Sequence, residues 1–147
     1  MQTTRRDLAL LLPALGAIAA AQADAADLPA LKSVVKKFED LPSRASGANG
    51  KNNTHAIFDG LTRNNFRVEA HETELAPGGE PHPPHRHAHE EMMLMVNGEL
   101  DFTVNGKTTR IGPGGFGFAG SNDEHGVKNP STSERARYFV IAFGPEK

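Results

Sequence analysis

Four histidines and two carboxylates fall within the eleven residues Pro81-His82-Pro83-Pro84-His85-Arg86-His87-Ala88-His89-Glu90-Glu91. Imidazole and carboxylate together, in a chain without cysteine, make a ligand set for Mn, Fe, Co, Ni, Cu or Zn. His85 and His87 are two residues apart, so an extended backbone sends both rings to one side. The prolines ahead of them stiffen the chain and lower the entropy lost when ligands are fixed. The plain alternative is a solvated polar loop, and on composition alone both readings stand. The missing cysteines also exclude disulfides, thiolate metal sites, iron–sulfur clusters and cysteine nucleophiles. Charges are interspersed and sum to −2, with no basic face for nucleic acid. No apolar run is long enough to span a bilayer.

Positioning such a cluster takes rigid backbone, and after His55 the chain is written in short strands. Phe66–Leu75, Glu90–Val96, Glu99–Val104 and Lys107–Ile111 are bounded by turn residues. Asn97-Gly98 and Asn105-Gly106 predict hairpins, because a type I′ turn needs positive φ at both central positions. Leu100, Phe102 and Val104 share one strand face, opposite Glu99, Asp101 and Thr103. Phe116-Gly117-Phe118, Gly126–Lys128 and Arg137–Phe143 supply further strands. The pattern predicts an all-β sandwich or barrel. Upstream, Leu28, Leu31, Val34, Val35, Phe38 and Leu41 recur at three- and four-residue spacings behind Asp27. That spacing predicts a short helix over 27–41, with an edge strand at Val34-Val35 as the alternative. Residues 42–54 read as a surface loop. Glu91–Val96 is apolar on both faces, and Tyr138–Phe143 nearly so. Such strands need cover from the N-terminal segment or from another subunit, and a homodimer is the economical reading.

Two spaced motifs resemble those of the cupins. Gly79-x5-His85-x-His87-x3-Glu91-x6-Gly98 matches the first motif at every specified position. Gly114-x5-Gly120-x-Asn122-x2-His125-x3-Asn129 follows the second, with Gly120 where Pro is usual and Asn122 where Gly is usual. Both replacements tolerate positive φ, so the turn is expected to survive. The resemblance runs from about Phe66 to Phe143. It implies a jelly-roll β-barrel enclosing one divalent transition metal on His85, His87, Glu91 and His125. His82 and His89 would then sit beside or at the rim of the centre, while His55 and His71 have no partner readable from sequence. Met93 and Met95 would line the interior as an apolar wall, and Phe102, Phe116 and Phe118 would add to the core.

The resemblance implies a metal-dependent oxygenase or an oxalate decarboxylase- or oxidase-like enzyme, acting on a small carboxylate or other oxygen-rich molecule. A non-catalytic carboxylate- or sugar-binding module and a metal storage protein are the alternatives. The weak candidates for proton transfer are Glu124, Asp123 and Arg86. At the other end of the chain, Arg5-Arg6 precedes an uncharged stretch from Leu8 to Ala23 that closes on Ala21-Gln22-Ala23. This resembles a cleavable twin-arginine export signal over 1–23. It implies a periplasmic or secreted protein with an extension at 24–54 and a cupin domain at 55–147. Export after folding would let the barrel close on manganese or iron before copper or zinc competes; nickel, copper and zinc are the alternatives.

Overall fold

The computed structural model describes residues 28–48 and 50–145. The expected export signal and the helix cap Asp27 therefore lie outside the described residues. Among the described residues there are nine strands: β1 (Ser43–Ser46), β2 (Asn52–Leu61), β3 (Arg67–Leu75), β4 (Glu90–Asn97), β5 (Leu100–Val104), β6 (Lys107–Ile111), β7 (Phe116–Ala119), β8 (His125–Lys128) and β9 (Ala136–Phe143). They form a six-stranded sheet ordered β1-β2-β3-β9-β4-β7 and a three-stranded sheet ordered β6-β5-β8. Every strand pair is antiparallel, giving the expected all-β jelly-roll sandwich.

Alternation along the strands places the core. In β9, Ala136, Tyr138, Val140 and Ala142 are buried, while the residues between them are half-exposed. Ala136, Tyr138 and Val140 join Leu75, Met93, Met95 and Ala119 of the same sheet and Leu100, Phe102 and Val127 of the other in one core cluster. Met93 and Met95 thus face inward, as expected of an interior wall. Asn105-Gly106 closes the β5–β6 hairpin with φ of 47° and 79°, the type I′ geometry its sequence predicts.

Four sequence expectations are corrected. Asn97-Gly98 is not a hairpin: only Gly98 has positive φ, at 75°, and the turn carries the chain from the large sheet to the small one. Phe116 and Phe118 do not join the core and are 66% and 51% exposed. Gly117 faces inward instead, because the Phe102 ring would lie 3.0 Å from any Cβ placed there. Residues 42–54 are not a plain loop, since β1 and the start of β2 pair there. Residues 28–41 contain only one 3-10 turn, Phe38–Asp40. The rest of that segment is pinned to β2 through its backbone, by Leu31 N–H to Leu61 O at 2.8 Å and Leu61 N–H to Pro29 O at 2.9 Å. Gly60 permits this approach, because a Cβ would come within 2.4 Å of the Pro29 carbonyl.

The N-terminal segment covers one end of the large sheet's outer face. Phe38 packs against His55 at 4.7 Å between ring centroids with the rings tilted by 46°, and the Arg137 guanidinium lies 5.3 Å from the Phe38 ring centroid. Beneath it Glu72 is buried, which pushes its carboxyl upward from the ordinary carboxylate range, although Arg137 Nε lies 2.9 Å away. At the other end of this face, Leu94, Phe116 and Phe118 stay exposed.

Candidate metal centre

Each candidate ligand is delivered by a different local device. Glu91 is the first inward residue of β4, opposite Ala142 of β9. His125 opens β8 and is 1% exposed. The segment before β4 is stitched to it by a two-residue bridge: His85 N–H to His125 O and His125 N–H to His85 O, both 3.0 Å. Gly126 lets Pro84 lie against β8, since a Cβ there would meet three Pro84 carbons at 3.1–3.3 Å. His87 is held by Asn122 N–H donating to its carbonyl at 2.8 Å. Asn122 adopts φ 62°, so the turn with the unusual residue survives as expected.

These devices bring His85, His87, Glu91 and His125 together. The ring centroids of His85, His87 and His125 lie 4.6–5.0 Å apart, and one nitrogen from each falls within 4.8 Å of the others. His125 Nε2 is 3.3 Å from Glu91 Oε2, and His87 Nε2 is 3.4 Å from Oε1. The ring orientations follow from backbone carbonyls. His87 Nδ1 bonds the His89 carbonyl at 2.8 Å and His125 Nδ1 that of Asp123 at 2.9 Å. A carbonyl can only accept, so both Nδ1 atoms carry a hydrogen and both Nε2 atoms face the centre, each offering a lone pair in the neutral ring. His85 Nδ1, His87 Nε2 and His125 Nε2 are buried without a hydrogen-bond partner. His87 Nε2 and His125 Nε2 facing the Glu91 carboxylate, with a nitrogen of His85 within 4.8 Å of both rings' ligand atoms, fit a divalent cation.

The electrostatics support that fit. Burial, with the neighbouring His82, His125 and His87, lowers His85 to about 4, so its ring is neutral over the physiological range. Burial likewise lowers His87. Burial alone would raise Glu91, but pairing with His125 and His89 outweighs it and holds the carboxyl at about 2. The same contact with Glu91 raises His125, which is the group a cation must deprotonate.

His89 and His82 flank the centre. The His89 ring stacks on His87 at 3.5 Å with an 11° tilt, and its Nε2 reaches Glu91 Oε1 at 3.2 Å. His87, His89 and Glu91 thus form a second ligand-capable group that shares two members with the first cluster. The exposed His82 ring packs edge-on against His85 at 4.2 Å. Arg86, Asp123 and Glu124 lie outside the pocket lining. Arg86 donates to the Asn122 carbonyl at 2.7 Å and approaches Glu124 at 3.8 Å, while Asp123 accepts from Asn105 Nδ2 at 2.8 Å. These bonds tie the Asn122 turn to its surroundings.

The centre opens into a cavity of about 550 Å³ between the sheets, whose lining includes Glu91, His125, Met93 and Tyr138. Its far wall holds residues that the sequence reading passes over. His71, left there without a partner, bonds Glu69 Oε1 through Nδ1 at 2.7 Å and lines the cavity. The signal was present: Glu69-x-His71 on a strand puts both side chains on one face. Arg44 lines it from β1, the strand read as loop.

Residues 71–142 match the family described as Cupin domain. Comparison with curated protein sequences finds no match. Among solved structures, the chain is similar to KdgF from a Halomonas species, with a TM-score of 0.64 and 14% identity, covering 79% of this chain and 96% of that one. It is also similar to a protein from Thermotoga maritima described as a predicted oxalate decarboxylase, with a TM-score of 0.60, 21% identity and coverage of 76% and 99%. The polyketide cyclase RemF from Streptomyces resistomycificus gives 0.61, 21% identity and coverage of 79% and 81%. At these identities the likeness is one of fold.

Proposed function

We propose, from the match of residues 71–142 to the cupin domain family and from the site's geometry, that the chain is a metal-dependent enzyme acting on a small carboxylate or similarly oxygen-rich molecule. One observation carries the reading: three clustered imidazoles, two of them against an ionised carboxylate, converge where the cavity begins. His85, His87, Glu91 and His125 would hold the ion, which supplies Lewis-acid polarisation of a bound oxygen and, with a redox-active metal, electron transfer. Met93, Val140 and Val127 limit water on the cavity walls and strengthen the electrostatics inside. His89 holds Glu91 Oε1, leaving Oε2 directed at His125 and the centre.

We further infer export through the twin-arginine-like segment at 1–23, loading with manganese or iron before export, and a homodimer in which the exposed Leu94, Phe116 and Phe118 are covered. The test is metal content by mass spectrometry, beside His125→Ala, on protein exported by its own signal. The expected result is about one equivalent of manganese or iron, absent in the variant, followed by decarboxylation or oxidation of a small acid by the loaded protein. No metal in either protein would overturn the reading. A second reading, a carboxylate-binding module without turnover, is favoured by Arg86, Asp123 and Glu124 lying outside the cavity lining. Binding of a small acid by loaded protein without any product would establish it.

A further inference from the structure

Four strands present polar side chains to the cavity where a closed hydrophobic core would be expected. The register aligns Tyr138 of β9, Thr73 of β3, Thr54 of β2 and Arg44 of β1 in one row across the sheet. Alternation then puts Arg44, Ser46, Thr54, Thr73 and Tyr138 on the same inward face, and all five line the cavity. Ser46 and Thr54 share a hydroxyl–hydroxyl bond of 3.1 Å. Beside this row His71 is oriented by Glu69, and its Nε2 has no partner among the described residues.

The charges of the wall can be assigned one by one. Arg44 is the one Lys or Arg among the lining residues described. The lining carboxylates are Glu69, engaged by His71, and Glu91, committed to the histidine cluster. Arg44 is exposed on the edge strand at the cavity's rim and forms no ion pair or hydrogen bond among the described residues, so a ligand entering the cavity can reach its charge. A cavity of about 550 Å³ is also far larger than a two-carbon diacid needs. A cavity of that size lies within the range that holds small organic ligands, an acid of about six carbons bearing hydroxyls among them.

We propose that the wall opposite the histidine cluster is a second subsite, in which Arg44 binds the carboxylate of a hydroxylated acid and His71, steadied by Glu69, contacts its middle. The Ser46 and Thr54 hydroxyls face the remainder of the ligand. The inference rests on the metal-centre reading for the other end of the ligand, which would present its oxygens to the ion. Arg44 supplies a planar, permanently charged fork suited to a carboxylate.

The experiment is calorimetric titration of the full chain with gluconate and with its uncharged counterpart glucitol, metal content being measured on every sample. Wild type, Arg44→Gln and Arg44→Lys are compared, each metal-loaded and metal-free. Loaded wild type is expected to bind gluconate, with no binding of glucitol detected. Arg44→Gln should lose at least tenfold in affinity with metal content unchanged, and Arg44→Lys should recover only part of it. Gluconate bound equally well by Arg44→Gln, or by neither protein, with the metal in place would overturn the subsite and leave the metal centre standing. Should no protein hold metal, the proposed function fails, and Arg44-dependent binding to the metal-free chain still decides the subsite. His71→Gln serves as the second variant: an unchanged gluconate affinity would remove His71 from the subsite.

Discussion

Gly126→Ala adds one methyl group at the point where the histidine segment meets β8. A Cβ on Gly126 would lie 3.1, 3.2 and 3.3 Å from Cγ, Cα and Cβ of Pro84. Comfortable carbon–carbon separations are about 3.5–4.0 Å, so Pro84 must retreat by roughly 0.5 Å. Pro84 sits between Pro83 and His85 and has little freedom to bend, so the shift passes to His85. The two 3.0 Å bonds between His85 and His125 resist it. Metal–nitrogen distances tolerate only about 0.2 Å of error, so the displaced ligand loses most of its bond. Metal affinity is expected to fall by about 10- to 100-fold, the range seen when a ligand's supporting contacts are removed. That corresponds to about 1.4–2.8 kcal/mol. Metal-free stability should fall by about 1–3 kcal/mol through overpacking. Competition against a chromophoric chelator reads the affinity, and thermal melts with excess chelator read the metal-free fold. A variant that binds within about twofold of wild type, while its metal-free melt drops by the expected amount, would refute the claim that Gly126 sets the position of His85.

Gly98→Ala is expected to cost about 3 kcal/mol or more in chemical denaturation, because Gly98 has φ 75° and a Cβ would lie 2.5 Å from the Arg135 carbonyl and 2.9 Å from Ala136 Cα. A change within about 0.5 kcal/mol would contradict this. The pH dependence of metal loading has a definite sign: Glu91 and His85 are already in their ligand forms above about pH 5, whereas raised His125 keeps its proton into the range above 6.5. Affinity should therefore drop about tenfold per pH unit below the His125 pKa and level off above it, with close to one proton released per ion. A pH-independent affinity through that window, followed by titration, would refute the assignment. Phe116→Lys should shift sedimentation from dimer to monomer, since Phe116 is the most exposed aromatic of the uncovered face at 66%. A monomeric wild type would refute the dimer.

What could be read from the residues follows physical range. Glu91 sits on a strand whose period is local, and Asn105-Gly106 carries its turn conformation in two adjacent residues. His125 is different: it meets His85 through a bridge spanning forty residues, and nothing near either residue encodes that meeting. Only the resemblance joined them. The strand period over 116–118 was legible, but its sign was not, because the ring that excludes a Cβ at Gly117 belongs to Phe102 on another strand. The helical spacing over 27–41 misled because Val34 and Val35 are 56% and 98% exposed and the segment is held by backbone bonds at Pro29 and Leu31 instead. Ser43–Ser46 escaped notice for the opposite reason: its inward side chains, Arg44 and Ser46, face a cavity, so the apolar alternation that marks a strand is missing.

The sheet order leaves β1 at an edge, bonded only to β2, while the candidate ligands come from β4, β8 and the segment stitched to β8. On the proposed reading, recognition and metal binding fall on separable stretches of chain. Four residues that contribute nothing to the apolar core carry the inward arginine and serine, so they can be rewritten without disturbing the histidines. A lineage could retune what enters the barrel while inheriting the ion intact. An engineer could do the same by exchanging residues 43–46 against a fixed Asn52–Leu61 partner.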